Sequence, residues 1–252
     1  MPEPSIPVED VSRLTILLDI DGTILDIAPT PREVFVPHSL RETLMRLSQR
    51  TGGSLAFVSG RPVSEIDLIF SPLQLPAIGG HGAELRLVAG EAPAPPRLPP
   101  LDTNLKRQFA AIAEAGPGII LEVKGYSLAL HYRLAPDKER IVHEAAAKIA
   151  ATAGSNIELL PGKLVLEIKQ GGVTKATAVR ELMRQAPFQD RRPLFIGDDV
   201  TDLPVFDIMP DYHGISISVG PKVKGVEACM QRPADVRRWL EQLSHQGAFA
   251  PG

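Results

Sequence analysis

Asp19 and Asp21 are separated by a single residue in the run D-I-D-G-T, directly after an apolar stretch. Two carboxylates so close repel one another and resist joint ionisation unless a cation offsets them. A second acidic group, Asp198, Asp199 and Asp202, stands in G-D-D-V-T-D, again at the end of a short apolar run. If the two runs are neighbours in space, the carboxylates converge. An all-oxygen site of that kind suits a hard ion that keeps part of its water, Mg2+. Each motif alone has a plainer reading. Asp-Gly after a strand is an ordinary turn, and Asp202 is an ordinary charge in the first turn of a helix. Neither plain reading accounts for two acidic ends in one chain.

Ser59 also follows an apolar run and precedes Gly60 and Arg61. Its hydroxyl, with the backbone N–H groups beside it, can hold a phosphate oxygen, although Ser-Gly-Arg alone is merely a turn. Lys175 begins a helical pattern behind Gly171 and Gly172. A lysine there opposes the helix dipole, and aiming it at a phosphate beside the helix N-terminus explains the position better than exposure does.

The elements that must position these groups alternate between short apolar runs and helical patterns, the rhythm of an α/β protein with a parallel sheet. Buried strands are predicted over 14–20, 54–58, 193–196 and 215–219, with a third strand in chain order over 77–87 whose glycines let the backbone turn closely. Helices are predicted over 38–50, 63–70, 174–185, 201–209 and 235–243. The stretch 91–100, EAPAPPRLPP, holds five prolines, so it is neither helix nor central strand but a linker. Beyond it the order is helix (102–115), two strands (119–124, 127–133), helix (136–153), two strands (157–160, 164–169). This αββ unit, used twice, predicts a small antiparallel sheet with helices on one face. Residues 101–169 therefore form a domain inserted into a larger one made of 1–100 and 170–252. Residues 246–252 read as a loose tail.

The bulk numbers narrow the function classes. Hydrophobic residues make up 44% and charged residues 23% of 252, ordinary for a globular protein. A net charge of −3 gives no general attraction to nucleic acid or to an anionic membrane, so affinity for phosphate must come from a local site. No stretch reaches the roughly 18 apolar residues a membrane helix needs. The first residues lack an apolar run after a basic start, so no secretory leader is expected. The lone cysteine, Cys229, makes no internal disulfide, and a reducing cytoplasm is the expected compartment. A nucleotide-binding module is disfavoured because the chain has no G-x-x-x-x-G-K-[ST] loop.

D-I-D-G-T, the strand-end Ser59, Lys175 and G-D-D-V-T-D, in that order, resemble the haloacid dehalogenase superfamily of phosphohydrolases. The resemblance implies a Rossmann-like α/β core with an inserted α+β cap of the αββαββ, C2 type. It implies Asp19 as nucleophile and Asp21 as general acid and then base. Asp198 would bind Mg2+ with Asp19 and the backbone carbonyl of Asp21, and Ser59 and Lys175 would hold the transferring phosphoryl group. Asp199 and Asp202 would orient metal-bound waters and Lys175. Phosphoryl transfer asks mostly for alignment and charge neutralisation, and a carboxylate nucleophile divides the reaction into two easier steps.

Within the superfamily, S-G-R-P at Ser59, G-G-H-G-A-E at Gly79, E-V-K-G-Y-S-L-A-L-H-Y-R at Glu122 and P-G-K-L-V-L-E-I-K at Pro161 make the chain look most like the trehalose-6-phosphate phosphatases. That likeness implies a sugar phosphate as substrate, the last step of trehalose biosynthesis as the reaction, and functional coupling to a trehalose-phosphate synthase. Gly60, Arg61, His81, Glu122, Lys163 and Glu167 become the substrate-contact residues to test, followed by Lys124, His131 and Arg133. The plain reading of the cap charges is the solvated face of a small sheet. The alternatives are another sugar phosphatase with this cap, acting on mannosyl-phosphoglycerate or sucrose phosphate; a phosphomannomutase; or a catalytically silent subunit that binds trehalose phosphate. The chain departs from the family at Leu203, where Glu is common, and at Ala176, where Gly is usual.

Overall fold

The computed structural model describes residues 10–28, 33–114, 116–153 and 156–246. Most of the expected tail, the first nine residues and the last residue of the helix predicted over 102–115 lie outside them. In chain order the elements are β1 (Leu14–Leu18), α1 (His38–Arg50), β2 (Leu55–Val58), α2 (Val63–Phe70), β3 (Ala77–Gly79) and β4 (Glu84–Arg86). Then come α3 (Thr103–Glu114), β5 (Ile120–Val123), β6 (Ser127–His131), α4 (Glu139–Thr152), β7 (Ile157–Gly162) and β8 (Val165–Gln170). The chain continues with α5 (Lys175–Leu182), β9 (Arg192–Gly197), α6 (Leu203–Ile208), β10 (Ile215–Val219), β11 (Ala228–Met230) and α7 (Pro233–His245).

The chain divides into two compact units, Met1–Ala94 with Lys175–Gly252, and Pro95–Thr174. The first holds a seven-stranded sheet in the order β11-β10-β9-β1-β2-β3-β4, parallel except for β4. Its central strands β1 and β2 are buried at every position because both faces are covered, and only Thr15 among their residues is polar. Ile16 and Leu18 of β1, Phe57 of β2 and Ile196 of β9 pack on the side of α1 and α7. Leu17, Ala56 and Phe195, one residue out of step, pack on the side of α5 and α6. The alternation of a strand divides one apolar run between two cores.

The second unit is a four-stranded antiparallel sheet in the order β5-β6-β8-β7. Leu128, Leu130, Leu166 and Ile168 meet Phe109 of α3 and Val142 of α4 in a core of its own. The helices cover one face of this sheet. The other face carries the alternate residues Ser127, Ala129, His131, Glu167 and Lys169.

Two expectations need correction. The strand predicted over 77–87 is a hairpin: β3 ends at Gly79, and β4 returns antiparallel beside it, pairing Gly79 with Glu84. Gly80, His81 and Gly82 have φ of 55°, 55° and 107°, a left-handed turn that two glycines make accessible. The apolar run therefore belongs to two short strands, not one long one. β11 was not anticipated at all. Its three residues, A-C-M, are too few for a period to show, and β10 recruits them to the sheet edge.

Candidate active site

β1 is the strand at which the sheet order reverses, with β2 on one side and β9 on the other. Ligands in open α/β sheets bind at such a point, outside the carboxyl ends of the strands. Asp19 follows β1, Ser59 follows β2 and Asp198 follows β9, so parallel pairing carries three of the expected site residues to one edge. The condition placed on the two acidic runs is met: they are neighbours.

Asp19 is 5% exposed, and both of its carboxylate oxygens are held. Lys175 Nζ donates to Oδ1 at 2.8 Å and Thr23 Oγ1 donates to Oδ2 at 2.9 Å. Lys175, itself 3% exposed, also donates to Asp202 Oδ1 at 2.7 Å. Oδ2 of the fully buried Asp202 accepts the backbone N–H groups of Asp198 and Asp199 at 3.0 and 3.1 Å. One carboxylate thus fixes the lysine and the turn that presents Asp198. Burial pushes the Asp19 carboxyl up to about 7, with Lys175 opposing the rise and Asp202 and Asp21 adding to it. Burial likewise raises Asp202 against the pull of Lys175. For Lys175 burial pushes down, but the two carboxylates overcome it and lift the ammonium above the ordinary lysine value.

Ligand oxygens of Asp19, Asp198 and Asp202 lie within 4.8 Å of one another. Three carboxylates against the single ammonium of Lys175 leave two negative charges to be balanced. A dication fits that donor set: all oxygen, hard and anionic. The space is built in by a glycine. A Cβ at Gly22, whose φ is +83°, would overlap the Asp198 carboxylate. Asp202 belongs to the acidic group by distance, and its two oxygens also hold Lys175 and the turn of Asp198. Asp199, expected to orient waters and Lys175, instead caps its own turn, with Oδ1 accepting Val200 N–H at 2.7 Å. An acidic residue just ahead of a helical turn finds the exposed N–H groups first.

Asp21 does not join this acidic group among the described residues. Arg61 Nε and Nη2 clamp its two oxygens at 2.6 and 2.7 Å, and Glu65 stands 3.5 Å from Arg61 Nη1. Arg61, expected among the substrate contacts, is buried and spent on Asp21. Ser59 is buried behind the same turn and its Oγ accepts Arg61 N–H at 3.1 Å. His81 closes the loop from below: its N–H donates to Ser59 O at 3.1 Å, and Gly80 N–H donates to Arg61 O at 2.9 Å. A Cβ at Gly60 would overlap the His81 imidazole. The structure therefore places Gly60 and His81 in mutual packing beneath the Ser59–Arg61 turn.

In the second unit the helix-free sheet face is not a solvated one. Lys124 Nζ lies 2.7 Å from Glu167 and 3.7 Å from Glu122, and His131 Nε2 lies 2.8 Å from Glu122. These four side chains are only 9–17% exposed. Lys163 sits in the exposed turn between β7 and β8, next to Leu164 at φ 58°; Arg133 is half-buried after β6. Leu203, at 38% exposure, opens α6, and Ala176 packs into the core beneath α5.

Sequence reasoning missed the part played by Thr23. Its place in D-I-D-G-T was in view, but a threonine four residues past an aspartate carries no signal until the chain turns back. Backbone N–H groups of Ile24 and Leu25 donating to Ile20 O, at 3.0 and 2.9 Å, make that turn.

Residues 17–233 match the family model described as Trehalose-phosphatase. A Sinorhizobium fredii protein named a probable trehalose-phosphate phosphatase is 38% identical over 225 residues, covering 89% of this chain and 84% of that one. The trehalose-6-phosphate phosphatase of Escherichia coli is 33% identical over 245 residues, covering 97% and 92%. The fold is matched by the C-terminal domain of Candida albicans trehalose-6-phosphate phosphatase, with a TM-score of 0.81 and 22% identity over 92% of each chain. With named relatives at 38% and 33% identity along most of its length and the family model spanning residues 17–233, the chain belongs to the trehalose-phosphatase family.

Proposed function

We propose that this chain hydrolyses trehalose 6-phosphate to trehalose and phosphate, the last step in making the disaccharide, by way of a phosphoryl group carried on Asp19. One observation carries the mechanism: the Asp19 carboxylate is buried with both oxygens aligned by Lys175 and Thr23, inside a group whose negative charge calls for a dication. The choice of sugar rests on family membership.

In the first step an Asp19 oxygen bonds to phosphorus and the bond from phosphorus to the sugar oxygen breaks. Asp21 supplies the proton that this oxygen takes up. In the second step Asp21 takes a proton from water, whose oxygen attacks phosphorus and frees the Asp19 carboxylate. Arg61 holds both Asp21 oxygens, so it has to release one before Asp21 can carry a proton. The arriving phosphate is a suitable competitor, because a guanidinium fork binds it bidentately as well. Ser59 and Lys175 hold the phosphoryl oxygens. Asp19, Asp198 and the backbone carbonyl of Asp21 would hold Mg2+. Mg2+ neutralises charge on the transferring group when bound. The unit Pro95–Thr174 serves as the cap that reads the sugar, through Glu122, Lys124 and Glu167, with Lys163 from the β7–β8 turn.

The test is phosphate release from a panel of sugar phosphates, with and without Mg2+. Trehalose 6-phosphate is expected to lead the panel, and EDTA to abolish turnover until Mg2+ is restored. A panel led by sucrose phosphate or mannosyl-phosphoglycerate would change the substrate and keep the chemistry. Full activity in chelator would remove the metal from the reading, and silence on every substrate would leave a binding subunit.

A further inference from the structure

We infer that His131 is a positioning residue for sugar recognition, fixing the carboxylate of Glu122; the inference rests on Glu122 being a sugar contact, as proposed above. His131 ends β6, a strand whose Leu128 and Leu130 face the helices. Its side chain is therefore on the opposite face, with Ala129 and Ser127. There it is 9% exposed and lies 2.8 Å from Glu122 Oε2 through Nε2. A buried imidazole needs a partner for its N–H, and a carboxylate is an acceptor. Nε2 therefore donates to Glu122, and Nδ1 has no hydrogen-bond partner among the described residues.

The need for this anchor follows from where Glu122 stands. β5 is one of the two edge strands of this sheet, exposed at both ends. The cation next along the strand, Lys124, stands 2.7 Å from Glu167 but 3.7 Å from Glu122, so its strong hydrogen bond goes across the sheet and not to its neighbour. His131 reaches Glu122 from the inner strand β6 on the diagonal, since β5 pairs Ile120 with His131 and Glu122 with Ala129. Removing the imidazole takes away the 2.8 Å hold on Glu122 Oε2 and widens the range of rotamers open to the glutamate. The polar row then loses the fixed geometry that recognition of sugar hydroxyls needs.

The experiment uses the full chain with Mg2+ and three variants, His131→Gln, His131→Asn and Glu122→Ala, each assayed on trehalose 6-phosphate and on p-nitrophenyl phosphate. The amide nitrogen of Gln reaches the place of Nε2, whereas that of Asn reaches only the place of Nδ1. Glu122→Ala and His131→Asn are expected to raise KM for trehalose 6-phosphate about ten-fold, the worth of one hydrogen bond to a charged group. Both should alter p-nitrophenyl phosphate hydrolysis much less, and His131→Gln should restore most of the loss. A wild-type KM in His131→Asn beside a raised KM in Glu122→Ala would overturn the positioning role and leave the sugar contact standing. A wild-type KM in Glu122→Ala would overturn both. Equal losses on both substrates in Gln and Asn variants alike, with a lowered Tm, would make His131 a packing residue.

Discussion

Burial pulls the Asp19 carboxyl away from ionisation, and Lys175, which holds one of its oxygens, pulls it back. That balance makes the side chain sensitive to changes that leave its size alone. Asp19→Asn keeps the volume and removes the attacking charge, so phosphate release should fall by orders of magnitude while the circular dichroism spectrum is unchanged. Near wild-type turnover would end the case for Asp19 as nucleophile. Thr23→Val tests alignment separately from charge. It removes the hydroxyl that donates to Asp19 Oδ2 and keeps the shape, and kcat should drop about ten-fold with KM little changed. Equal kcat in wild type and variant would mean that Lys175 alone aligns the nucleophile. The acidic residues were legible in the sequence because type and spacing are themselves the signal. Where Arg61 sends its side chain was not, because it answers to Asp21, a partner brought by the fold, while Asp199 turns to the N–H of the next residue, Val200, a local cap that competed with the role expected of it.

α5 starts on Lys175, against the helix dipole, and the two buried carboxylates compensate for it. Removing one partner of such a cluster leaves buried charge behind, at a cost of about 3–5 kcal/mol. Lys175→Met should therefore lower Tm clearly in chelator, and Mg2+ should recover part of the loss by balancing Asp19 and Asp198. An unchanged Tm, or one indifferent to Mg2+, would show that the cluster needs no cation. Strands announced themselves in the sequence when both of their faces are buried, as in L-T-I-L-L and L-A-F-V, since nearly every position is then apolar. The β3–β4 hairpin did not, because its turn, Gly80-His81-Gly82, makes no separate gap in the pattern and reads as part of one strand. Nor did the pairing on the helix-free sheet face: Lys124 and Glu167 are far apart in the chain, and their 2.7 Å contact exists only because β6 lies between β5 and β8.

At the scale of the whole molecule, the insertion has its own sheet, its own two helices and a core drawn from Pro95–Thr174 alone. A unit with a separate core can fold by itself. The segment 95–174, produced alone, should melt cooperatively by circular dichroism; a featureless melt would show that it depends on the rest of the chain. Among the described residues no helix is long and apolar enough to cross a membrane. The acidic edge of the larger unit has a further property, which concerns inheritance more than chemistry. Room for Asp198, for the His81 ring and for Asp202 is made by hydrogen atoms at Gly22, Gly60 and Gly197 in the place of side chains. Any missense change in a glycine codon adds a Cβ, so no single-nucleotide route to another amino acid keeps that room. In a pooled library of all single substitutions, selected for phosphatase activity, these three glycines should be depleted as completely as Asp19. Alanine surviving at any of them would show that its neighbour gives way. Genetic drift would then be as restricted at three glycines without a side chain as at the nucleophile itself.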